Sequence, residues 1–374
     1  MWIFIMLAMG LVAIGSILYV TKRIYDFPIL EKCSKGNKWL RRIESILPVA
    51  VVLGILLLWL GTINACICMI HLVIIWLLGD GILWLIQKVR KTSLGKSRHS
   101  VVGFFAILVT LGLLSYGWIL AHHVWEVPYV LETQKNVGSF RVVQFADSHI
   151  GSTFHGKDLE KYVEQMQKTN PDIVVITGDY VDDDTSKQDM VDACRALGKL
   201  KPKYGVYYVF GNHDKGYYGK EYRGYDGEDL VAELEKNGVH VMEDEVELID
   251  NRFYLIGRKD RSEEQKGGQR KSMEELTKNL DPSKYSIVLD HQPHDYENQK
   301  AAKVDLVLSG HTHGGQFFPI NYVGEWSGEN DMTYGLRTRE QTNFIVTSGI
   351  SDWVIQFKTG CKSEYVVVDI QTSL

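Results

Sequence analysis

The first third of the chain consists mainly of long apolar stretches separated by short polar segments. Residues 1–20 and 100–122 are each almost continuously apolar, and residues 46–86 stay apolar for much longer. A helix needs about 20 apolar residues to cross a bilayer, and Gly61-Thr62-Ile63-Asn64 interrupts the longest stretch near its middle. The pattern predicts a membrane domain over residues 1–123, an all-α bundle of four transmembrane helices at about 1–20, 46–61, 65–86 and 100–122. The middle two are expected to be antiparallel and joined by a tight turn.

The first apolar stretch also has the length of a secretory signal peptide. Signal peptides begin with basic residues and end at small residues where they are cleaved. This stretch lacks a basic beginning, and it ends in Tyr19-Val20-Thr21-Lys22-Arg23. We therefore expect a membrane span here.

The basic residues of the membrane domain lie in two of its loops. The loop between the first two spans and the loop between the third and fourth carry, together, Lys22, Arg23, Lys32, Lys35, Lys38, Arg41, Arg42, Lys88, Arg90, Lys91, Lys96 and Arg98. Because basic loops remain in the cytoplasm, both ends of the bundle are expected to face outward. The sequence thus predicts a multi-pass protein of the cell membrane with an extracytoplasmic second domain.

Asp80 and His71 are the polar residues of the third predicted span. An ionisable residue at membrane depth is a candidate for a functional role. Asp80, however, lies near the predicted cytoplasmic end, where it can reach lipid headgroups, and its two neighbouring glycines permit close helix packing. We favour a structural role and find no indication of a transport path.

After a predicted linker at residues 124–139, short apolar runs alternate with helical patterns. Residues 140–146, 173–177 and 206–210 are typical of buried strands, each followed by a polar loop and a predicted helix. Three such repeats indicate an α/β domain built from βαβ units over residues 140–374. Further strands are predicted at 246–249, 253–256, 285–290, 304–309, 344–348 and 365–370.

The two parts of the chain carry opposite charge. Residues 1–139 hold 13 basic and 6 acidic residues, whereas the remainder holds 28 basic and 40 acidic residues. Lysine and arginine contacts to phosphates supply most of the affinity of proteins for nucleic acids. An acidic domain is therefore a poor partner for nucleic acid, and none is expected.

Polar side chains of metal-binding type follow five of the predicted strands. Carboxylate, carboxamide and imidazole groups suit Mn, Fe or Zn, and the absence of cysteine from these motifs argues against a closed structural zinc site. Seven ligands are too many for one tetrahedral ion but fit two ions that share a carboxylate, and two such ions can clamp the oxygens of a displacement at phosphorus. Each motif alone could be a turn or a helix entry, but their joint occurrence favours a metal site. The candidates are Asp147, His149, Asp179, Asn212, His291, His311 and His313.

The order of these motifs resembles that of the calcineurin-like metallophosphoesterase superfamily. The motifs are Asp-x-His, Gly-Asp-x-x-Asp, Gly-Asn-His-Asp, a single histidine and Gly-His-x-His, and they span about residues 140–370. Gly-His-Thr-His-Gly-Gly-Gln at 310–316 and His291-Gln292-Pro293 resemble the membrane-associated bacterial branch. The resemblance implies a four-layer α/β/β/α sandwich rather than one doubly wound sheet.

The resemblance also implies a role for each site residue. Asp147, His149 and His313 would bind one metal, Asn212, His291 and His311 the other, and Asp179 would bridge them. His213 resembles the histidine that protonates the leaving oxygen or stabilises the transition state, and Asp182 would orient it. One departure is Gln356, at a position where many relatives of the membrane branch carry arginine.

These observations predict a membrane-anchored phosphoesterase with two divalent metal ions (Mn, Fe or Zn). It would hydrolyse phosphate mono- or diesters by attack of a metal-bound hydroxide, with His213 as the acid. A catalytic domain next to the bilayer suggests a phospholipid or another envelope phosphate as substrate. The tyrosine-rich loop at 216–227 could cover that substrate or form only a surface loop. The alternatives are a non-catalytic metal-containing membrane receptor or scaffold, and a coupled transporter, which the few intramembrane charges disfavour.

Overall fold

The computed structural model describes residues 2–91 and 96–373, with the side chains of residues 10–91 and 98–373. The chain divides into two compact units. The helical unit comprises Met1–Gly117 and Val354–Gln356, and the sheet unit comprises Trp118–Trp353 and Phe357–Leu374.

Four helices account for most of the N-terminal part of the chain. They are α1 (Trp2–Tyr25), α2 (Pro28–Cys33), α3 (Lys38–Arg90) and α4 (Lys96–His122). Asn37 caps the start of α3, because its side chain accepts hydrogen bonds from the backbone N–H groups of Trp39 and Leu40.

Two helices of the described part of the chain are long and apolar enough to cross a membrane, which corrects the predicted four. They are Lys38–Arg90 and Arg98–His122. The predicted spans at 46–61 and 65–86 both fall within α3, because only Gly61, with φ 74° and ψ 173°, departs from helical geometry there. The predicted four-residue turn is thus a break at one glycine. The first predicted span falls on α1, of which the side chains at 1–9 lie outside the described residues.

Asp80 is paired inside the helical unit rather than with solvent or headgroups. Its carboxylate accepts a hydrogen bond from the Tyr19 hydroxyl at 2.8 Å and forms an ion pair with Arg23 of α1. His99 Nδ1 of α4 lies 3.5 Å from the same carboxylate. The neighbouring Gly79 allows a close approach, since a Cβ there would lie 2.6 Å from a Val102 methyl carbon. These contacts agree with the predicted structural role.

The sheet unit contains two six-stranded sheets. In the first sheet the strand order is β1-β12-β2-β3-β4-β5, and β2 to β5 are mutually parallel. In the second the order is β10-β11-β9-β8-β7-β6, and β11, β9, β8 and β7 are parallel. The strands are β1 (Trp125–Thr133), β2 (Ser139–Phe145), β3 (Ile173–Thr177), β4 (Val206–Val209), β5 (Val239–Val241), β6 (Glu245–Ile249), β7 (Phe253–Gly257), β8 (Tyr285–Leu289), β9 (Leu306–Ser309), β10 (Gly335–Arg339), β11 (Thr342–Val346) and β12 (Glu364–Thr372).

The segment predicted as a linker, residues 124–139, belongs mostly to the first sheet. Its strand β1 pairs in parallel with β12 along its whole length, from Trp125 opposite Glu364 to Thr133 opposite Thr372. Alternate side chains of β1 are more deeply buried than their neighbours. Most of the segment is therefore a strand of the sheet rather than a linker.

Short helices cover the outer faces of both sheets. Ser186 caps α6, and Asp226 and Ser272 form capping boxes with Asp229 and Glu275 at the starts of α8 and α10. The helices are α5 (Leu159–Lys168), α6 (Lys187–Leu197), α7 (Lys220–Arg223), α8 (Gly227–Lys236), α9 (Ser262–Gln265), α10 (Met273–Thr277), α11 (Tyr296–Ala301) and α12 (Val323–Trp326), with 3₁₀ turns at Gly156–Asp158, His313–Gly315 and Ile320–Tyr322.

Alternation along the strands produces four layers. Val142 and Val175 of the first sheet pack in one cluster with Ile287 of the second, so this cluster fills the space between the sheets. Their neighbours along the strands, such as Val143, pack with α5, α6 and α8 on the outside. Val288 packs with residues of α10 and α11 on the other side. The fold is the α/β/β/α sandwich that the resemblance implied.

Candidate metal centre

All seven predicted ligand residues lie just beyond the carboxyl ends of parallel strands. β2, β3 and β4 of the first sheet and β8 and β9 of the second supply them. Ligand sites of α/β folds commonly form at such strand ends. The structure brings side chains from both sheets to one place: Asp147 and His149 after β2, Asp179 after β3, Asn212 after β4, His291 after β8, and His311 and His313 after β9.

Six of these residues form two groups suited to a metal ion. Within each group, one ligand atom per residue lies within 4.8 Å of the others. The first ligand group is Asp147, His149 and His313, and the second ligand group is Asp179, His291 and His311.

Asp179 lies between the two groups. Its Oδ2 is 3.2 Å from His291 Nε2 and 3.8 Å from His149 Nε2. Asn212, the seventh predicted ligand, joins the second group because its Oδ1 is 3.2 Å from the same nitrogen of His291. Asp179 is therefore the carboxylate that lies close to histidines of both groups.

The backbone of the site is unusual at five ligand positions. Asp147, His149, Asp179, His311 and His313 have φ values of 53°, 36°, 50°, 71° and 47°. Positive φ is uncommon outside glycine, and where it occurs it is often found at functional sites. The surrounding loops must hold these conformations against their strain.

Hydrogen bonds between the loops provide that support. The carboxylate of Asp214 is fully buried and accepts the backbone N–H groups of Asp179, Tyr180, Val181 and Gly211 at 2.6–3.1 Å. Asp214 therefore ties the loop after β3 to the loop after β4. Sequence reasoning assigned no role to Asp214, although it belongs to the Gly-Asn-His-Asp motif.

The ligand carboxylates form two further hydrogen bonds between loops. Asp147 accepts the backbone N–H of His311 at 3.0 Å, and Asp179 Oδ1 accepts that of His213 at 2.8 Å. Each carboxylate thus faces the site and at the same time holds a neighbouring loop. This positioning requires the tertiary fold, because the paired loops are distant in the sequence.

The imidazoles of the first ligand group are backed by carboxylates. His149 Nδ1 is hydrogen-bonded to Asp182 Oδ2 at 3.1 Å, whereas His313 Nδ1 faces Asp352 Oδ1 at 3.7 Å without a hydrogen bond. A metal-binding histidine commonly directs its second nitrogen to such a group, which sets the ring orientation and raises ligand basicity. In the second ligand group the corresponding contact is a backbone carbonyl, since His291 Nδ1 lies 2.7 Å from Thr177 O.

The contact of Asp182 corrects its predicted role. Asp182 was expected to orient His213, but the hydrogen-bond partners of its carboxylate in the described part of the chain are His149, Thr185 and the backbone of Asp184 and Thr185. The loop after β3 turns back at Thr185 and directs Asp182 towards the first ligand group.

Asp352 and Lys358 form a buried pair that sequence reasoning missed. Both are completely buried, and Asp352 Oδ1 lies 3.2 Å from Lys358 Nζ. Lys358 Nζ also donates hydrogen bonds to Ser348 O and Ser363 Oγ at 2.9 and 3.1 Å. The sequence drew attention only to the nearby Gln356, as a departure from the arginine of many relatives. Gln356 itself belongs to the helical unit.

His213 lies beside the ligand groups without belonging to either. Its ring centroid is 5.2 Å from that of His149, 5.2 Å from that of Tyr217 and 5.1 Å from that of Trp353. Burial lowers the pKa of His213, whereas the nearby Asp179 carboxylate acts to raise it. Tyr217 also accepts a hydrogen bond from Asn212 Nδ2 at 3.0 Å, which directs Asn212 Oδ1 towards His291.

The tyrosine-rich loop at 216–227 includes an ordered turn of helix. It contains α7, and the backbone N–H groups of Tyr217 and Tyr218 donate to the Asp183 carboxylate. Tyr217, Tyr218 and Tyr222 are exposed, whereas Tyr225 is buried. Exposed tyrosines are compatible with a cover over the substrate and with a surface loop, the two predicted roles.

The charges of the site suit a pair of cations. Burial raises the pKa of Asp147 to about 7. For Asp179 burial also acts to raise the pKa, but the surrounding imidazoles, His291 first, bring it well below its usual range. His149 Nε2 is buried without a hydrogen-bond partner and faces the carboxylates. Oxygen and imidazole donors with an uncompensated buried nitrogen fit divalent cations of the Mn, Fe or Zn type.

Close packing around the ligands leaves no room for side chains at three glycines. A Cβ at Gly211 would lie 2.2 Å from Asp179 Oδ1, and one at Gly310 would lie 2.5 Å from Asp147 Oδ2. At Gly178 it would lie 2.7 Å from His291 Nδ1. The glycines of the motifs are therefore required by space around the ligand atoms.

Comparison with known proteins agrees with this geometry. The family model described as calcineurin-like phosphoesterase matches residues 140–315, which include all seven predicted ligands. A Bacillus subtilis protein named uncharacterized metallophosphoesterase YkoQ is 32% identical over 287 residues, which cover 70% of this chain and 97% of that protein.

Two further relatives are longer than the region they share with this chain. An uncharacterized metallophosphoesterase of Campylobacter jejuni is 30% identical over 233 residues, 62% of this chain and 59% of that protein. A Danio rerio protein named transmembrane protein with metallophosphoesterase domain is 29% identical over 285 residues, 72% of this chain and 62% of that protein. The chain thus spans about six tenths of the length of these two relatives.

Proposed function

Because this chain belongs to the calcineurin-like phosphoesterase family, we propose that it is a membrane-anchored, metal-dependent hydrolase of phosphate mono- or diesters. The observation that carries the proposal is the convergence of both ligand groups on Asp179, with His213 beside them as a histidine outside either group. A purely structural metal site would not need an additional histidine at this place.

The first ligand group would hold one cation, and the second ligand group with Asn212 would hold the other. Asp179 would contribute to both, since its Oδ2 lies 3.8 Å from His149 Nε2 and 3.2 Å from His291 Nε2. When bound, two divalent cations would neutralise charge on the phosphoryl oxygens and lower the pKa of a bound water molecule. Mn, Fe and Zn are the proposed ions because the donors are oxygen and imidazole nitrogen.

His213 is proposed to donate the proton that the leaving oxygen needs. Its backbone is held by Asp179, and its ring is flanked by Tyr217 and Trp353, both of which are exposed to the surface. Although burial lowers the pKa of His213, a phosphate ester brought next to it would add negative charge and favour its protonated form. General acid catalysis of this kind contributes roughly 10²–10⁴-fold in rate.

The substrate is proposed to be a phosphate ester of the membrane or envelope. Two helices are long and apolar enough to cross a membrane, and the basic segment at residues 88–98, which precedes the apolar part of α4, favours an extracytoplasmic catalytic domain after that helix. A catalytic domain held at the bilayer meets phospholipid headgroups and other envelope phosphates at high local concentration.

The activity is tested with the full-length protein in detergent, stripped of metal and reloaded separately with Mn, Fe and Zn. We expect hydrolysis of p-nitrophenyl phosphate or bis-p-nitrophenyl phosphate, together with at least one phospholipid or phosphorylated lipid, only after reloading. Two bound ions per chain with no hydrolysis of any ester would instead support the metal-containing receptor or scaffold.

The location is tested on intact cells with a protease that cannot enter them. An extracytoplasmic sheet unit would be degraded, while a cytoplasmic control protein stays intact. Complete protection of the sheet unit, followed by digestion after lysis, would contradict the proposed orientation.

A further inference from the structure

The segment after the Gly-His-x-His motif exposes a cluster of large apolar side chains. Phe318 and Trp326 are 71% and 74% exposed, and the side chains between them at 320, 322 and 323 are exposed as well. Single exposed apolar residues are ordinary on protein surfaces, but a contiguous cluster of this kind marks an interaction surface. We call this cluster the apolar ridge; it consists of Phe318, Ile320, Tyr322, Val323 and Trp326.

The backbone of the apolar ridge is held by secondary structure and hydrogen bonds. It is formed by a 3₁₀ turn followed by α12, and Asn321, between two ridge residues, is buried. The Phe318 N–H donates to Thr359 Oγ1 at 3.2 Å, and Gln316 O accepts the N–H groups of Thr359 and Gly360 at 3.0 and 3.1 Å. The backbone of the ridge is thus fastened to residues 357–360 while its apolar side chains point outward.

The loop that fastens the ridge also contacts the last turn of α4. The ring centroid of Phe357 lies 5.7 Å from that of Trp118. Ser363 donates through its backbone N–H to Leu120 O at 2.8 Å and through its hydroxyl to Ala121 O at 2.7 Å. These residues all belong to the sheet unit, and the candidate span Arg98–His122 ends in this turn. A single loop therefore separates the ridge from the point at which the candidate span ends.

The charges of the ridge favour contact with lipid through apolar rather than electrostatic attraction. The Glu325 carboxylate forms an ion pair with the Arg337 guanidinium at 2.7 Å, and the Glu329 carboxylate forms one with that of Arg261 at 3.7 Å. The domain as a whole is acidic, with 40 acidic and 28 basic residues from 140 onward. Such a surface gains little from anionic lipids, whereas exposed Trp, Tyr and Phe side chains prefer the boundary between headgroups and acyl chains.

We infer that the apolar ridge inserts into the boundary layer of the bilayer beside the end of α4. The ridge begins shortly after His313 in the chain, so its insertion would hold the first ligand group close to the headgroups. The consequence for substrate rests on the proposed function: the preferred ester would be one whose phosphate is carried by a lipid. The insertion itself does not depend on that activity.

Insertion is tested by fluorescence quenching with the full-length protein in phosphatidylcholine vesicles. The emission of Trp326 is obtained by subtracting the fluorescence spectrum of Trp326→Phe from that of the wild type. This difference is recorded in vesicles with brominated acyl chains and in vesicles with ordinary acyl chains. We expect strong quenching by brominated lipid that is insensitive to salt. Trp59→Phe provides the positive control, because Trp59 is an exposed residue of α3 within a candidate span.

An unquenched Trp326 would overturn the inference. An unquenched but blue-shifted emission that depends on the protein density in the vesicles would overturn it in favour of a second copy of the chain. Quenching without hydrolysis of any ester would support the insertion and contradict the proposed function. The experiment therefore distinguishes failure of the insertion from failure of the proposed function.

The effect on substrate is tested with Phe318→Ser and, as a second variant, Ile320→Ser. Loss of one apolar side chain from the lipid boundary is expected to lower the hydrolysis of a lipid phosphate in vesicles by about tenfold, with p-nitrophenyl phosphate hydrolysis unchanged. Leu248→Ser, at an exposed apolar residue of β6, is the matched control and should lower neither. An equal loss on both substrates, or none on the lipid, would contradict the role in substrate preference.

Discussion

The two ligand groups use similar donor atoms but support their imidazoles differently. In the first ligand group both histidines direct Nδ1 towards a carboxylate, Asp182 for His149 and Asp352 for His313. In the second ligand group His291 directs Nδ1 to a backbone carbonyl. A carboxylate behind an imidazole raises its basicity, so we expect the first ligand group to bind its cation more tightly. Asp179, which faces histidines of both groups, should couple them.

The largest effect is expected for Asp179→Asn, which removes the shared carboxylate. Both cations should be lost on dialysis, and turnover should fall by more than the roughly 10⁴-fold that a single acid–base residue contributes. Metal analysis and ester hydrolysis on the same sample measure both effects. Asp184→Asn, at an exposed carboxylate of the same loop, is the control. Retention of two cations at normal turnover would show that Asp179 does not couple the groups.

His213→Ala should separate turnover from metal binding. Because His213 lies beside the first ligand group but outside both groups, the variant should keep its cations and lose roughly 10²–10⁴-fold in turnover. Metal content and hydrolysis rate are measured together, with the exposed His240→Ala as control. Near-normal rates would remove the acid role from His213, and loss of metal would make it a ligand.

Asp352→Asn and Asp182→Asn should weaken one cation only. Loss of the carboxylate behind a metal-binding histidine typically costs 10–100-fold in metal affinity. We therefore expect dialysis against a chelator to reduce the metal content towards one ion per chain in both variants. If Asp182 instead served His213, as the resemblance implied, its variant would lose turnover with both ions still bound.

Metal binding should depend on pH because a histidine of each ligand group has a raised pKa, His291 the more strongly and His149 as well. Burial alone would lower the pKa of His291, but the Asp179 and Asp147 carboxylates raise it well above its ordinary value. Below that raised pKa the imidazole of the metal-free protein carries a proton that a cation must displace, so the apparent affinity should fall as pH falls. One displaced proton corresponds to about tenfold in affinity per pH unit.

This dependence is measured by competition with a chelator of known affinity between neutral and alkaline pH. The Asp352→Asn variant keeps the second ligand group intact and should retain the dependence. An apparent affinity that is constant with pH would show that metal uptake displaces no proton from His291.

Much of the site was predictable from local sequence, because its residues follow apolar strands in short motifs. The strands before Asp147, Asp179 and His311 were identified from their apolar runs, and the structure places the predicted ligands of both sheets together. The roles of Asp352 and Lys358 were not predictable, since nothing near them in the sequence indicates contact with His313. The same holds for Asp182, whose partner depends on how its loop turns.

In the helical unit, the apolar pattern predicted the helices but not how they break and pack. Apolar length indicated helices correctly, but it could not show that the interruption between the two middle predicted spans is confined to Gly61, because a single glycine with φ 74° is enough for the break. The partners of Asp80 on α1 and α4 likewise depend on helix packing.

The sequence by itself determined which chemical groups this protein carries and that they follow strand ends, because strand patterns and motif spacing are local properties of the chain. Only the tertiary structure decided how those groups work together. Five ligand residues adopt positive φ, and backbone hydrogen bonds to buried carboxylates such as Asp214 help to hold those loops in place. His149 is hydrogen-bonded to Asp182, and Asp352 lies close to His313, although each carboxylate comes from another loop. Contacts between distant segments set these features, and no local pattern encodes them.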